Sequence, residues 1–240
     1  MSASERDQKI TAIVKKLDKT PAKEHIPTLL RAAIEAIPCV GGTFSTLIEE
    51  LIPNWKMERL QRFVAELAVD LESLAGNIDL GYLRREEFGY LFEETFRIVL
   101  FEYREEKLAA FRNILLNSMV RTDVKQELKE YLFSTVRDLG SLHMRFIALL
   151  ENPREFYGAR GVRDDASAIG GSIIEELRRC FPELDDPTIR AVWNDLRNSE
   201  IVSMEARNLG AMISSSGSKA LEGHLTEFGR LLTSFIRSPR

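Results

Sequence analysis

The chain has 240 residues, 44% of them hydrophobic and 29% charged, with a formal net charge of −4. That is enough apolar side chain for a sizeable core, in one large domain or two small ones. The charge divides evenly, 20 basic and 22 acidic residues in 1–137 and then 13 and 15 in 138–240, so neither half carries the basic excess of a strong nucleic-acid binder.

The opening "MSASERDQKITAIVKK" is charged from residue 5 onward and lacks the apolar stretch and cleavage site of a signal peptide. Cys39 and Cys180 lie far apart, without the short spacings of a zinc or redox site. A reducing, cytoplasmic location without a disulfide is the expectation. The most membrane-like stretch, 32–48, contains Glu35, Pro38 and Gly41-Gly42 between Arg31 and Glu49, and is too short and broken to span a bilayer as one helix.

From residue 5 to about 137 apolar residues recur at three and four, the period of amphipathic helices. "IPTLLRAAIEAIP" and "VGGTFSTLIEELIP" read as two short helices broken at Pro38 and at Gly41-Gly42. Apolar on more than one face, this 26–53 hairpin is expected in a core; the sharper reading is a segment that leaves the bundle for a partner or membrane. Over 54–75, Met57, Leu60, Phe63, Val64, Leu67, Leu71 and Leu74 form a continuous stripe. Two further helices are predicted, over 82–102 with Phe88, Leu91, Phe92, Phe96 and Val99 inward, and over 104–120 with Leu108, Phe111, Ile114 and Leu115 inward. Asp123 followed by Gln126 looks like the capping signature of another, ending at Leu139.

After 138 the pattern changes. A helix over 141–153 carries Leu142, Met144, Phe146, Ile147 and Leu150. The stretch "REFYGARGVRDDAS" reads as a surface loop. Helices follow in "SAIGGSIIEELRRCF" and in "DDPTIRAVWNDLRNSEIVS", where Asp186 suits the N-cap and Pro187 the first helical position. Residues 203–225, with a Ser/Gly tip at 214–218, suggest a β-hairpin, and a last helix starts at Thr226.

No catalytic or metal-binding signature emerges. His25, His143 and His224 make no histidine-rich site, and there is no H-E-x-x-H, C-x-x-C or G-x-S-x-G. "SSSGSKA" lacks the Gly-Lys-Ser/Thr sequence of a phosphate loop. Acidic doublets such as Glu93-Glu94 point about 100° apart on a helix and read as solvated faces. The chain is therefore expected to be no enzyme and to need no cofactor, metal or small-molecule substrate.

Helix, helix, helix, β-hairpin, helix over 138–240 resembles winged helix-turn-helix domains, a likeness carried by "DDPTIRAVWNDLRNSEIVS" and "LTEFGRLLTSFI". The whole chain is also similar to bacterial proteins of unassigned activity that join a helical bundle, with a segment like "EEKLAAFRNILLNSM", to such a domain. The expected architecture is mainly α: a helical bundle over 1–137, of five or six helices, then a winged helix-turn-helix over 138–240 with a small β-hairpin.

In the third helix of that domain Ile189, Val192, Trp193 and Leu196 fall on the inner face, leaving Arg190, Asn194, Arg197 and Asn198 outward. Arginine and asparagine bond bidentately to guanine and adenine edges, and Lys219 near the expected wing tip could touch a backbone. Against DNA stand Asp185 and Asp186 at the helix N-terminus, Asp195 on its flank, and the use of many winged helices as protein modules. A solvated face, DNA contact and protein contact stay open. Arg154, Arg160, Arg163, Arg178 and Arg179 either form a positive patch or pair with Asp164, Asp165, Glu175 and Glu176.

The resulting expectation is a macromolecule-binding protein that contacts DNA, or a protein partner, through Arg190, Asn194, Arg197, Asn198 and Lys219, with the bundle for dimerisation or signal reception. The alternative is an interaction or effector protein, as in a bacterial defence system, that uses the 26–53 hairpin on a partner or membrane.

Overall fold

The computed structural model describes residues 54–74, 77–79, 81–164 and 171–239. The 26–53 hairpin, with Cys39 and the alternative function built on it, lies outside the described residues. The chain divides into two compact units, Met1–Val136 with Phe235–Arg240, and Arg137–Ser234.

The described residues of the first unit are mostly helical. Helix α1 (Asn54–Leu74) buries Leu60, Phe63, Val64, Leu67, Leu71 and Leu74, the stripe its spacing predicts. Helix α2 (Glu86–Phe101) follows a single 3-10 turn at Tyr82–Arg84, and α3 (Glu105–Val120) follows three extended residues. Aromatic rings knit these helices: Phe63 meets Phe96 edge-on at 5.9 Å, Phe92 lies 4.5 Å from Phe96, and Phe111 lies 5.1 Å from Phe133 of α4 (Gln126–Asp138). Offset and edge-on ring pairs add stabilisation beyond the area they bury.

Several polar side chains buried in this unit find charged or carbonyl partners, although Arg112 Nε and Ser118 Oγ are buried without a hydrogen bond. Arg112 of α3 bonds Glu66 and stands 3.0 Å from Asp70, both on α1. Lys129 is 2% exposed; its Nζ donates to the Ser118 carbonyl at 2.9 Å and lies 4.1 Å from the Tyr82 ring centre. Burial holds that amine below its usual value. Asp123 does not cap α4, which opens three residues later; its carboxylate is instead bound by Arg121 at 3.2 Å.

In the second unit, α5 (Ser141–Glu151) leads directly into α6 (Pro153–Arg160), which occupies the stretch expected to be a loop. The helix signals were present: the Asn152 side chain accepts the Glu155 N–H at 3.3 Å, Pro153 takes the first turn, and Gly161 closes it at φ 63°. Apolar periodicity was not, because only Pro153 and Tyr157 are buried. Helix α7 (Ile173–Cys180) opens with a capping box in which Glu175 accepts the Ser172 N–H at 2.9 Å. Helix α8 (Asp186–Asn198) begins one residue earlier than expected, so Asp185 is the cap, accepting from Thr188 N–H at 2.9 Å. Ile189, Val192, Trp193 and Leu196 are buried as its spacing predicts. Helix α9 (Glu227–Ile236) is capped by Thr226, whose Oγ1 accepts the Gly229 N–H at 2.9 Å.

The architecture is mainly α, and the β-hairpin is not shown. Among the described residues extended pairing is limited to two antiparallel bridges, Gly171 with Ile213 and Val202 with Leu225. Two 3-10 helices, Ala206–Gly210 and Gly217–Leu221, lie in the stretch expected to be the hairpin.

The Ser/Gly stretch is no exposed tip, since Ser216, Gly217 and Ser218 are buried. Two carboxylates draw it inward: Glu176 accepts the Gly217 N–H at 2.9 Å, and Asp164 accepts the N–H and hydroxyl of Ser218 at 2.9 and 2.6 Å. Glu176, 3% exposed, also accepts from Tyr157 at 2.7 Å and faces Arg179 at 3.1 Å, the pairing a buried charge requires. Beside it, burial pushes the Cys180 thiol up to about 11, where it is a poor nucleophile.

Candidate nucleic-acid interface

Helix α8 is fixed to its unit by Trp193 and Arg190. The Trp193 indole N–H donates to the Met204 carbonyl at 2.8 Å, and Arg190 Nη1 donates to the carbonyl of Ala206. These bonds hold the Ala206–Gly210 3-10 helix against the α8 flank. Between the two elements opens a cleft of about 670 Å³. Arg190, Asn194, Arg197 and Asn198 line it from α8, at positions i, i+4, i+7 and i+8, and Glu205, Ala206 and Arg207 line it from the 3-10 side.

Four of the five residues singled out in the sequence are therefore gathered in one place. Asn194 and Asn198 are exposed, Arg197 is partly so, and Arg190 is spent in part on backbone. The fifth, Lys219, is exposed on the Gly217–Leu221 3-10 helix, which packs on α6 and α7. Arg207 and Glu205 give no sign of this cleft in the sequence, where residues 203–225 read as a hairpin, and Glu200 falls at the end of the α8 segment with no local mark of a site.

Glu200, just past the C-terminus of α8, also lines the cleft. Glu200 N–H donates to Arg197 O at 3.0 Å and Ile201 N–H to Leu196 O at 2.9 Å, the bond pair of a Schellman motif, with Ile201 and Leu196 both fully buried. That motif sets Glu200 at φ 57°, the one non-glycine left-handed residue among the described residues. A glycine there would avoid a cost of about 1–2 kcal/mol. A sequence clue existed: the helix ends without the expected glycine or asparagine.

Two of the three cations of the cleft are matched to carboxylates. Arg197 Nη1 lies 3.3 Å from Glu200, and Arg207 Nε lies 2.6 Å from Glu205. Arg197 Nε is buried without a hydrogen-bond partner. Three arginines against two glutamates leave one net positive charge.

The carboxylates that argue against DNA are engaged elsewhere. Arg178 grips Asp186 with Nε and Nη2, and holds its carboxyl below the usual range. Asp185 is lowered by its bonds from Thr188. Asp195 meets His143 Nε2 at 3.1 Å, while His143 Nδ1 accepts the Gly140 N–H at 3.0 Å. Of the other arginines expected to cluster, Arg179 faces Glu176, Arg154 faces Glu222 at 3.8 Å, and Arg160 donates to the Cys180 carbonyl at 3.2 Å.

Among the described residues no group of three or more His, Cys, Asp or Glu side chains could hold a metal ion, and no helix is long and apolar enough to cross a membrane. No family model, curated protein or solved structure matches the chain.

Proposed function

We propose that the chain is a non-enzymatic macromolecule-binding protein whose α8 cleft contacts DNA, and whose first unit serves dimerisation or signal reception. The observation that carries this reading is the convergence of Arg190, Asn194, Arg197 and Asn198 with Arg207 on one open cleft. Arginine forks fit phosphates and guanine edges, and asparagine amides fit adenine edges, so the cleft offers both backbone and base-edge chemistry. Neutralisation of Asp186 by Arg178 removes one repulsive charge from the helix end that would approach a phosphate.

Within this reading α7 and α8 act as the helix-turn-helix pair. The bridges Gly171 with Ile213 and Val202 with Leu225 would serve as the short sheet of such a domain, with 3-10 turns in place of a hairpin wing. Exposed Phe101 and Tyr103 at the α2–α3 corner, 73% and 66% exposed, supply the bundle with the aromatic side chains that protein interfaces favour.

The test is fluorescence anisotropy of the protein with a random-sequence duplex across a salt series, beside Arg197→Ala and Arg207→Ala. Arg190 is left intact because it also anchors Ala206. Binding that weakens steeply with salt is expected, with a slope shallower by about 0.9 for each arginine removed. Absence of binding at low salt overturns the reading and turns the search to protein partners.

A further inference from the structure

We infer that Glu200 and Glu205 are built-in counter-ions of the α8 cleft, displaced by an incoming phosphodiester backbone, and that they set its affinity and salt dependence. The inference rests on the reading of this cleft as a nucleic-acid interface.

Each glutamate occupies an arginine that a phosphate would use, Glu200 on Arg197 at 3.3 Å and Glu205 on Arg207 at 2.6 Å. In the first pair the cation is the less exposed partner and the anion the more exposed one. Arg197 has its Nε buried, whereas the Glu200 side chain is 70% exposed. The Glu205 side chain is 49% exposed, so both carboxylates can turn out to water without leaving a charge buried.

Carboxylate and phosphate oxygens fit the same guanidinium fork. With the glutamates seated the cleft carries one net positive charge, and with them displaced its three arginines act unopposed. A single small anion competes with one of these pairs at a time. A polyanion that reaches Arg197 and Arg207 together would displace both glutamates in one binding event, so the counter-ions would favour nucleic acid over isolated phosphate. The left-handed backbone of Glu200 supports a role for the side chain: the fold keeps a carboxylate where glycine would sit without strain.

The experiment is anisotropy of the full chain with a labelled random-sequence duplex in a potassium chloride series, for the wild type, Glu200→Gln, Glu205→Gln and Glu222→Gln. Glutamine keeps size and hydrogen bonding while removing the charge. Glu222, which faces Arg154 outside the cleft, reports the effect of removing a carboxylate from an arginine elsewhere on the chain. At low salt, Glu200→Gln and Glu205→Gln are each expected to tighten binding up to about fivefold and to steepen the salt slope by up to about 0.9. Glu222→Gln is expected to do much less.

Glu200→Gly supplies a second variant: it relieves the left-handed strain, so it should bind more tightly and also melt higher. If the wild type binds and Arg197→Ala weakens it, but Glu200→Gln and Glu205→Gln tighten no more than Glu222→Gln, the counter-ion role is overturned and the nucleic-acid reading stands. If neither the wild type nor the glutamine variants bind at any salt, both fall.

Discussion

Gly229 in α9 shows how one residue can decide a packing. A Cβ there would lie 2.3 Å from the Ile201 carbonyl oxygen, a backbone atom with no freedom to swing aside. Gly229→Ala gains up to about 1 kcal/mol of helix propensity, yet overpacking costs about 1–3 kcal/mol. A net fall in stability by urea denaturation is expected; a rise would mean that α9 can shift away from Ile201. At this scale the sequence showed that Arg190, Asn194, Arg197 and Asn198 share a side of α8, because helical spacing alone fixes that. It did not show that Arg190 is bound to the Ala206 carbonyl, sixteen residues away.

Helix α3 owes its composition to what its ends and flanks must satisfy. Asn117 Nδ2 lies 2.9 and 2.8 Å from the carbonyls of Phe235 and Arg237 and 3.0 Å from that of Asn113, and Asn113 Nδ2 donates to Ile236 at 2.7 Å. Carbonyls at a helix C-terminus have no partner within the helix, and this asparagine pair, one turn apart, provides donors for those of α9. Asn117→Ala leaves part-buried acceptors unpaired and should cost about 1–3 kcal/mol in a thermal melt. Asn113→Ala, which frees one carbonyl, should cost less; equal losses would argue against shared capping by Asn117. In "EEKLAAFRNILLNSM" the two asparagines look like ordinary polar breaks in an apolar stripe, and only the packed chain gives them this role. Helix α6 illustrates the converse: its cap, proline and closing glycine were readable, but with two buried residues it had no stripe to announce it.

At the scale of the whole molecule the electrostatics favour neutral pH. Hydrogen bonds from Arg121, Ser218, Arg145, Thr188 and Arg178 lower the pKa values of Asp123, Asp164, Glu183, Asp185 and Asp186 respectively. A carboxyl whose folded pKa is depressed stabilises the fold above its unfolded pKa, and that contribution is lost as pH falls through the folded value. Melting temperature should therefore hold level above about pH 5 and drop below about pH 4. Asp164→Asn should melt lower at neutral pH and lose less on acidification, because one depressed group is gone; an unchanged acid limb would place the loss elsewhere.

The sequence by itself determined the mainly helical character, the extent of α1, α3 and α9 to within about two residues, and the polar side of α8, since all follow from periodicity and capping within one segment. Only the tertiary structure decided that Glu176 and Asp164 bury the Ser/Gly stretch, 41 and 54 residues further along the chain. It likewise decided that Arg207 and Glu205 complete the cleft. Contacts of that kind depend on which distant groups the packed elements bring within hydrogen-bond reach, and local pattern carries no record of them.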